Sequence, residues 1–284
     1  MCYRSLRTMG LLVSCILAPG TLAAAPITAT TQTIDFTGVT GAGFANPPGA
    51  GQLDSNDWAV TGVNDAPGST VFGGGPYASG DFARGTAAGA VATGGVYAFN
   101  RGGGNIALGV QPTADDFTPG RFILRLTNTT GQDMTGFELG YELLVRNDQG
   151  RGNSFNVNYL INGDPFAAGP PGTSLSTSTS VDASDLLGLT TLLNFGPTII
   201  TDALLNGQYL DLIFFGDDVS GSGSRDEFGI DNISFRGIPE ETGGGGGGGD
   251  DADGVVPEPS TLLLISLGLM GLLALRLRGS RQTR

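Results

Sequence analysis

The chain has 284 residues, enough for one large domain or two small ones, with 27 carboxylates against 14 basic residues. All the basic residues are arginine. Histidine and lysine are absent, and both cysteines, Cys2 and Cys15, lie near the start. This composition excludes a serine–histidine triad and a lysine-dependent phosphate loop, and beyond residue 15 it excludes disulfides and cysteine-ligated zinc. The carboxylates all fall between Asp35 and Glu258, where eight arginines give a balance of 8 − 27 = −19. Such a surface repels phosphate backbones, so nucleic acid is not an expected partner, whereas cations such as calcium are compatible with it.

Residues 1–25 read as an export signal. Arg4 and Arg7 precede an apolar run over residues 9–18, Pro19 and Gly20 break it, and Thr21, Ala23, Ala24 and Ala25 are small. Cleavage is expected after Ala23 or after Ala25, the second hindered by Pro26. The apolar run is too short to span a bilayer. Leu12-Val13-Ser14-Cys15 also matches a lipoprotein box, although Ile16 and Leu17 after it are apolar.

Residues 26–240 read as β-strands separated by turns. Short strands are expected at Ile34-Asp35-Phe36, Trp58-Ala59-Val60, Val96-Tyr97-Ala98-Phe99 and Ile106-Ala107-Leu108. Longer alternations follow. Phe122, Leu124 and Leu126 form one; Phe137, Leu139, Tyr141, Leu143 and Val145 a second; Phe155, Val157, Tyr159 and Ile161 a third; Leu210, Leu212 and Phe214 a fourth. Period-2 patterning with one polar face predicts antiparallel sheets packed on one side. Asn128-Thr129-Thr130-Gly131 and Asn162-Gly163-Asp164 are turn signals, and residues 230–235 form a last short strand. Residues 183–193 alone predict a helical turn or two. The expected fold class is therefore all-β, an antiparallel β-sandwich of jelly-roll type.

The acidic cluster Asp217, Asp218, Asp226, Glu227 and Asp231 brackets a Gly/Ser loop and is the candidate metal site, with calcium as its cofactor. Arg225 within it offers an ion pair instead, and Asp231, inside a strand, offers burial against a partner such as Arg146. Trp58, Tyr77 and Tyr97 are either core or a sugar-stacking platform. A glycosidase needs two carboxylates about 5–9.5 Å apart. Glu138 and Glu142 share a strand face but stand about 13 Å apart along it, which predicts a solvated face. The acidic loop also reads as solvated or structurally paired, and no catalytic residue is assigned.

Residues 241–254 are a flexible linker with seven consecutive glycines and an acidic stretch. Residues 255–284 then run from Pro257-Glu258-Pro259 through an apolar segment to Arg276, Arg278, Arg281 and Arg284. As a helix, the 15 residues 261–275 reach about 22 Å at ~1.5 Å per residue, against a hydrocarbon core of ~30 Å. Residues 261–277 are a short transmembrane helix whose arginines stay cytoplasmic. This order resembles the PEP-CTERM sorting signal of Gram-negative bacteria. The resemblance implies an exosortase-type membrane protease as partner, a membrane-anchored precursor, and delivery to the cell surface or extracellular matrix.

A second resemblance rests on Gly95-Val96-Tyr97-Ala98-Phe99, on Ala107-Leu108-Gly109, on residues 124–131 and on residues 226–235, Asp226-Glu227-Phe228-Gly229-Ile230-Asp231-Asn232-Ile233-Ser234-Phe235. It is to the lectin-like sandwich common in PEP-CTERM proteins, and it implies a fold associated with extracellular polysaccharide. The expected function is a non-enzymatic structural or polysaccharide-associated module; the alternative is a carbohydrate-active enzyme using Asp and Glu alone.

Overall fold

The computed structural model describes residues 25–88, 90–169, 171–178 and 189–240. The expected signal peptide, linker and transmembrane helix lie outside these residues. The strands in chain order are β1 Gln32–Ile34, β2 Phe44–Ala45, β3 Leu53–Asp54, β4 Trp58–Thr61, β5 Thr86–Ala87, β6 Gly95–Gly102 and β7 Asn105–Gln111. They continue as β8 Gly120–Thr127, β9 Met134–Arg146, β10 Arg151–Ile161, β11 Thr173–Ser176, β12 Thr190–Ile200, β13 Tyr209–Gly221 and β14 Glu227–Pro239. Helix among the described residues is confined to one 3-10 turn, Gly80–Phe82.

Two sheets form the expected sandwich. One runs β12-β9-β14-β7-β6-β5 with β1 alongside β14; the other runs β11-β10-β13-β8-β4. Apart from the β5–β6 pairing, the ladders within both sheets are antiparallel. Side chains alternate across a strand, so one set from each sheet meets in the middle. Phe122, Leu124 and Leu126 of β8 and Leu210, Leu212 and Phe214 of β13 face Phe137, Leu139, Tyr141 and Leu143 of β9 in one core. Burying each such side chain contributes about 1.5–3 kcal/mol, which fixes the register, since a one-residue slip would turn the set outward.

In β14 a bulge keeps that alternation correct. Asp231 pairs with Glu142 and Ser234 with Gly140, so the strand carries one extra residue there. Asn232 absorbs it at φ 49°, a left-handed value that asparagine tolerates. Phe228 and Ile230 before the bulge, and Ile233 and Phe235 after it, all enter the core.

The helical turn expected over residues 183–193 is corrected where it is described: from Thr190 the chain is β12, paired to β9. Residues 179–188 lie outside the described residues.

Candidate binding cleft and the acidic residues around it

The five acidic residues singled out in the sequence are divided between the sheets. Asp217 and Asp218 sit near the end of β13, opposite Ser154 and Asn153 of β10. Asp218 accepts from Nε and Nη2 of Arg225, each at 2.6 Å, and from Nη1 of Arg151 at 2.5 Å. Partial burial raises its carboxyl, but the two guanidiniums outweigh that and hold it below the usual carboxylate range. Asp217 is exposed. Glu227 and Asp231 belong to β14 of the other sheet, and Asp226 lies just before it. Asp226 is buried and accepts the Gln149 N–H at 3.0 Å. Asp231 is also buried, and its partner is Arg101 at 2.8 Å; Arg146 bonds Asp148 instead, also at 2.8 Å. The expected Asp231–Arg146 pair is thus replaced, because the register puts Arg146 opposite Glu227 and Glu142 opposite Asp231. Among the described residues no group of three acidic side chains gathers in a geometry able to hold a metal.

What the register does gather is a cleft on the outward face of the larger sheet. Phe99, Asn100, Arg101, Arg146, Leu189 and Glu227 line about 160 Å³ of space, with Ala87 and Ala88 at the rim. Its floor needs glycine. A Cβ on Gly109 of β7 would lie 2.3 Å from the Phe99 ring, so glycine lets that ring rest on the sheet. Tyr97 stacks on Phe99 at 5.5 Å with 10° between the planes. At one end Arg101 bridges Asp231 and Glu142, at 2.8 and 3.1 Å.

Glu227 is the buried carboxyl of this cleft. The residue is 1% exposed; Oε1 accepts the Val91 N–H at 2.8 Å, and Oε2 is buried with no hydrogen-bond donor. Burial, reinforced by neighbouring Asp148, pushes its carboxyl up to about 7. Asp148 in turn is satisfied by Arg146 and by Nε2 of Gln149 at 3.0 Å. A carboxyl of this kind donates a hydrogen bond when protonated, accepts one when ionised, and changes between the two near neutral pH.

The aromatic trio expected as core or platform is no platform. Trp58 packs inside against Phe36 at 5.5 Å, Tyr77 against Phe82 at 5.4 Å, and Tyr97 lies on the outward face with Phe99. Glu138 and Glu142 are not simply solvated either: Arg236 holds the first and Arg101 the second. Sequence reasoning missed a buried bidentate ion pair of the smaller sheet. Arg125 grips the fully buried Asp211 through two 2.8 Å bonds, and its guanidinium lies 3.9 Å from the Phe72 ring centre and 3.7 Å from that of Tyr209. The available signal was that both residues interrupt apolar strands at outward positions; their pairing is set by the β8–β13 register.

Residues 255–279 match the family model of the PEP-CTERM protein-sorting motif. The chain carries a PEP-CTERM sorting motif. The motif marks it as an exported protein sorted to the cell surface. A comparison with curated proteins found no match. Among solved structures, a carbohydrate-binding module specific for non-crystalline cellulose is similar at 15% identity and TM-score 0.30, over 52% of this chain and 82% of the module. The cleaved adhesin domain of Lys-gingipain from Porphyromonas gingivalis is similar at 10% identity and TM-score 0.28, over 74% and 92%. An isomalto-dextranase from Arthrobacter globiformis, complexed with panose, is similar at 13% and 0.26, over 75% of this chain and 33% of the enzyme.

Proposed function

We propose that this PEP-CTERM protein is processed by an exosortase near Pro257-Glu258-Pro259 and that its sandwich serves as a non-enzymatic, polysaccharide-associated module of the extracellular layer. The sorting motif is the observation that carries this reading. The ion pairs support it: Asp211, Asp218, Asp231, Glu138 and Glu142 are each held by arginine, which suits a scaffold better than acid–base catalysis. The cleft over Glu227 is the proposed contact for the polymer, with Phe99 supplying an apolar face and Glu227, Asn100 and Arg146 supplying polar groups.

One observation favours a second reading, a carbohydrate-active enzyme: Glu227 titrates near neutrality beside Asp148. A single gel experiment addresses both. The protein is run through native gels with and without the producing organism's extracellular polysaccharide, and the polysaccharide is then assayed for new reducing ends. Retarded migration with no new reducing ends is the expected result. Unchanged mobility overturns the binding module, and released reducing ends favour the enzyme.

A further inference from the structure

The first described residues are stitched into both sheets. The Thr127 N–H donates to the Ala25 carbonyl at 3.0 Å, the Ile27 N–H donates to the Thr127 carbonyl at 2.9 Å, and the Gly237 N–H donates to the Thr28 carbonyl at 2.7 Å. Ile27 is fully buried. Ala25 is therefore a working part of the folded domain. Its own N–H makes a 2.6 Å bond to Oδ1 of Asp57.

Asp57 is the acceptor of that bond. It is half-buried, and among the described residues it forms no ion pair, although Asp54 adds a like charge nearby. The arginines are committed elsewhere. Arg84, Arg101, Arg125, Arg146, Arg151, Arg225 and Arg236 each hold another carboxylate, and Arg121 donates to the carbonyls of Pro165, Ala167 and Gly169. With no lysine or histidine in the chain, no other cationic side chain remains among the described residues, and one further cation can arise next to Ala25. It is the α-ammonium created when an export signal is removed.

We propose that export processing leaves Ala25 on the mature chain and that Asp57 is the counter-ion of the new α-ammonium. Of the two bonds expected from the sequence, the one after Ala23 meets this condition. Signal-peptidase-catalysed hydrolysis there adds one water: its oxygen goes to the Ala23 carbonyl carbon, giving a carboxylate, and its two hydrogens go to the Ala24 nitrogen, giving an ammonium. One residue spans at most about 3.6 Å, so the ammonium lies within reach of the carboxylate that already holds the Ala25 N–H. Cleavage after Ala25 would discard both the Asp57 bond and the carbonyl that Thr127 uses. Without a cation, burial and then Asp54 leave the Asp57 carboxyl pushed up to about 6 despite the Ala25 bond, and an adjacent ammonium reverses that shift.

The test uses the absence of lysine, which makes the α-amine the single primary amine of the mature protein. The full processed protein is purified from exporting cells and its first residue is read by mass spectrometry. A start at Ala24 is expected, and one at Ala25 also agrees. A start at Pro26 or at a lipidated Cys15 overturns the proposal, and a start at Met1 overturns both it and the export reading. The amine is then labelled with an N-hydroxysuccinimide ester across pH 6 to 9. The native protein should label with an apparent amine pKa above its ordinary ~8 and about tenfold more slowly at pH 7 than Asp57→Asn, the change that one pKa unit brings. Equal rates overturn the proposal. If Asp57→Asn does not fold, the native protein is compared with itself in urea; simple burial would slow labelling while leaving the pH midpoint in place or lowering it, and either result is equally fatal.

Discussion

The two outward faces of the sandwich handle the same difficulty in opposite ways. Each buries a carboxylate almost completely on the side away from the core. On the smaller sheet, Asp211 receives a bidentate guanidinium clamped between Phe72 and Tyr209, so its burial is matched by charge and hydrogen bonds. On the larger sheet, Glu227 receives one backbone N–H and faces a cleft with its second oxygen unserved. Burial by itself therefore does not separate a structural acid from a responsive one. The separation lies in where the facing cation is spent: Arg125 bonds Asp211, whereas Arg146, opposite Glu227 in the register, bonds Asp148.

The largest effect should come from breaking the satisfied face. Asp211→Ala leaves Arg125 among aromatics without its anion and should cost about 3–5 kcal/mol in urea unfolding. A loss under about 1 kcal/mol would mean that solvent already serves that guanidinium. The double replacement Asp211→Leu with Arg125→Met should recover most of the loss, because two apolar groups leave nothing unpaired.

A smaller effect, confined to one pH range, should come from the unsatisfied face. The folded state raises the Glu227 carboxyl from 4.5 to about 7, so it favours the protonated form. That contribution is complete below about pH 4.5, fades as pH rises, and is lost above about pH 7, amounting to ~3 kcal/mol at ~1.36 kcal/mol per unit. Glu227→Gln should therefore gain on the wild type between pH 5 and pH 8 in thermal melts. The difference between the two curves cancels contributions from other groups, Asp57 included. Parallel curves would assign the titration elsewhere.

The smallest effect concerns the acidic loop. Asp218 is occupied by two arginines and Glu227 and Asp231 lie in the other sheet, so calcium and EDTA should leave the melting midpoint unchanged. A calcium-dependent rise would show a cation displacing Arg151 or Arg225.

Much of this fold was legible from alternation. In β8, Phe122, Leu124 and Leu126 point inward as the period requires, and Arg121 and Arg125 point outward. β12 was not legible, because Gly196 and Pro197 sit inside it and its pairing shifts twice. Nor did periodicity reveal that outward Ile123 is fully buried; it is covered by packing with Ile213, Phe72, Leu160 and Phe215. The charged pairs depend on strand order. Arg101 and Asp231 stand 130 residues apart in sequence, and only the arrangement β14-β7-β6 brings them together. The acidic cluster looked like one site because its members are close along the chain, yet the turn between β13 and β14 carries the chain from one sheet to the other.

The last strand is also the most enclosed of its sheet. β14 is bonded to β9 on one side and to β7 and then β1 on the other, and the chain leaves it at Pro239 toward the sorting tail. On a cell surface, a pull on the tail reaches the domain through β14, and the ladder to β9, spanning Glu227 to Pro239, ties that strand in over its length, whereas an edge strand such as β12 has a partner on one side. Threading the chain's exit through the middle of the sheet gives the sandwich a mechanically resistant point of attachment.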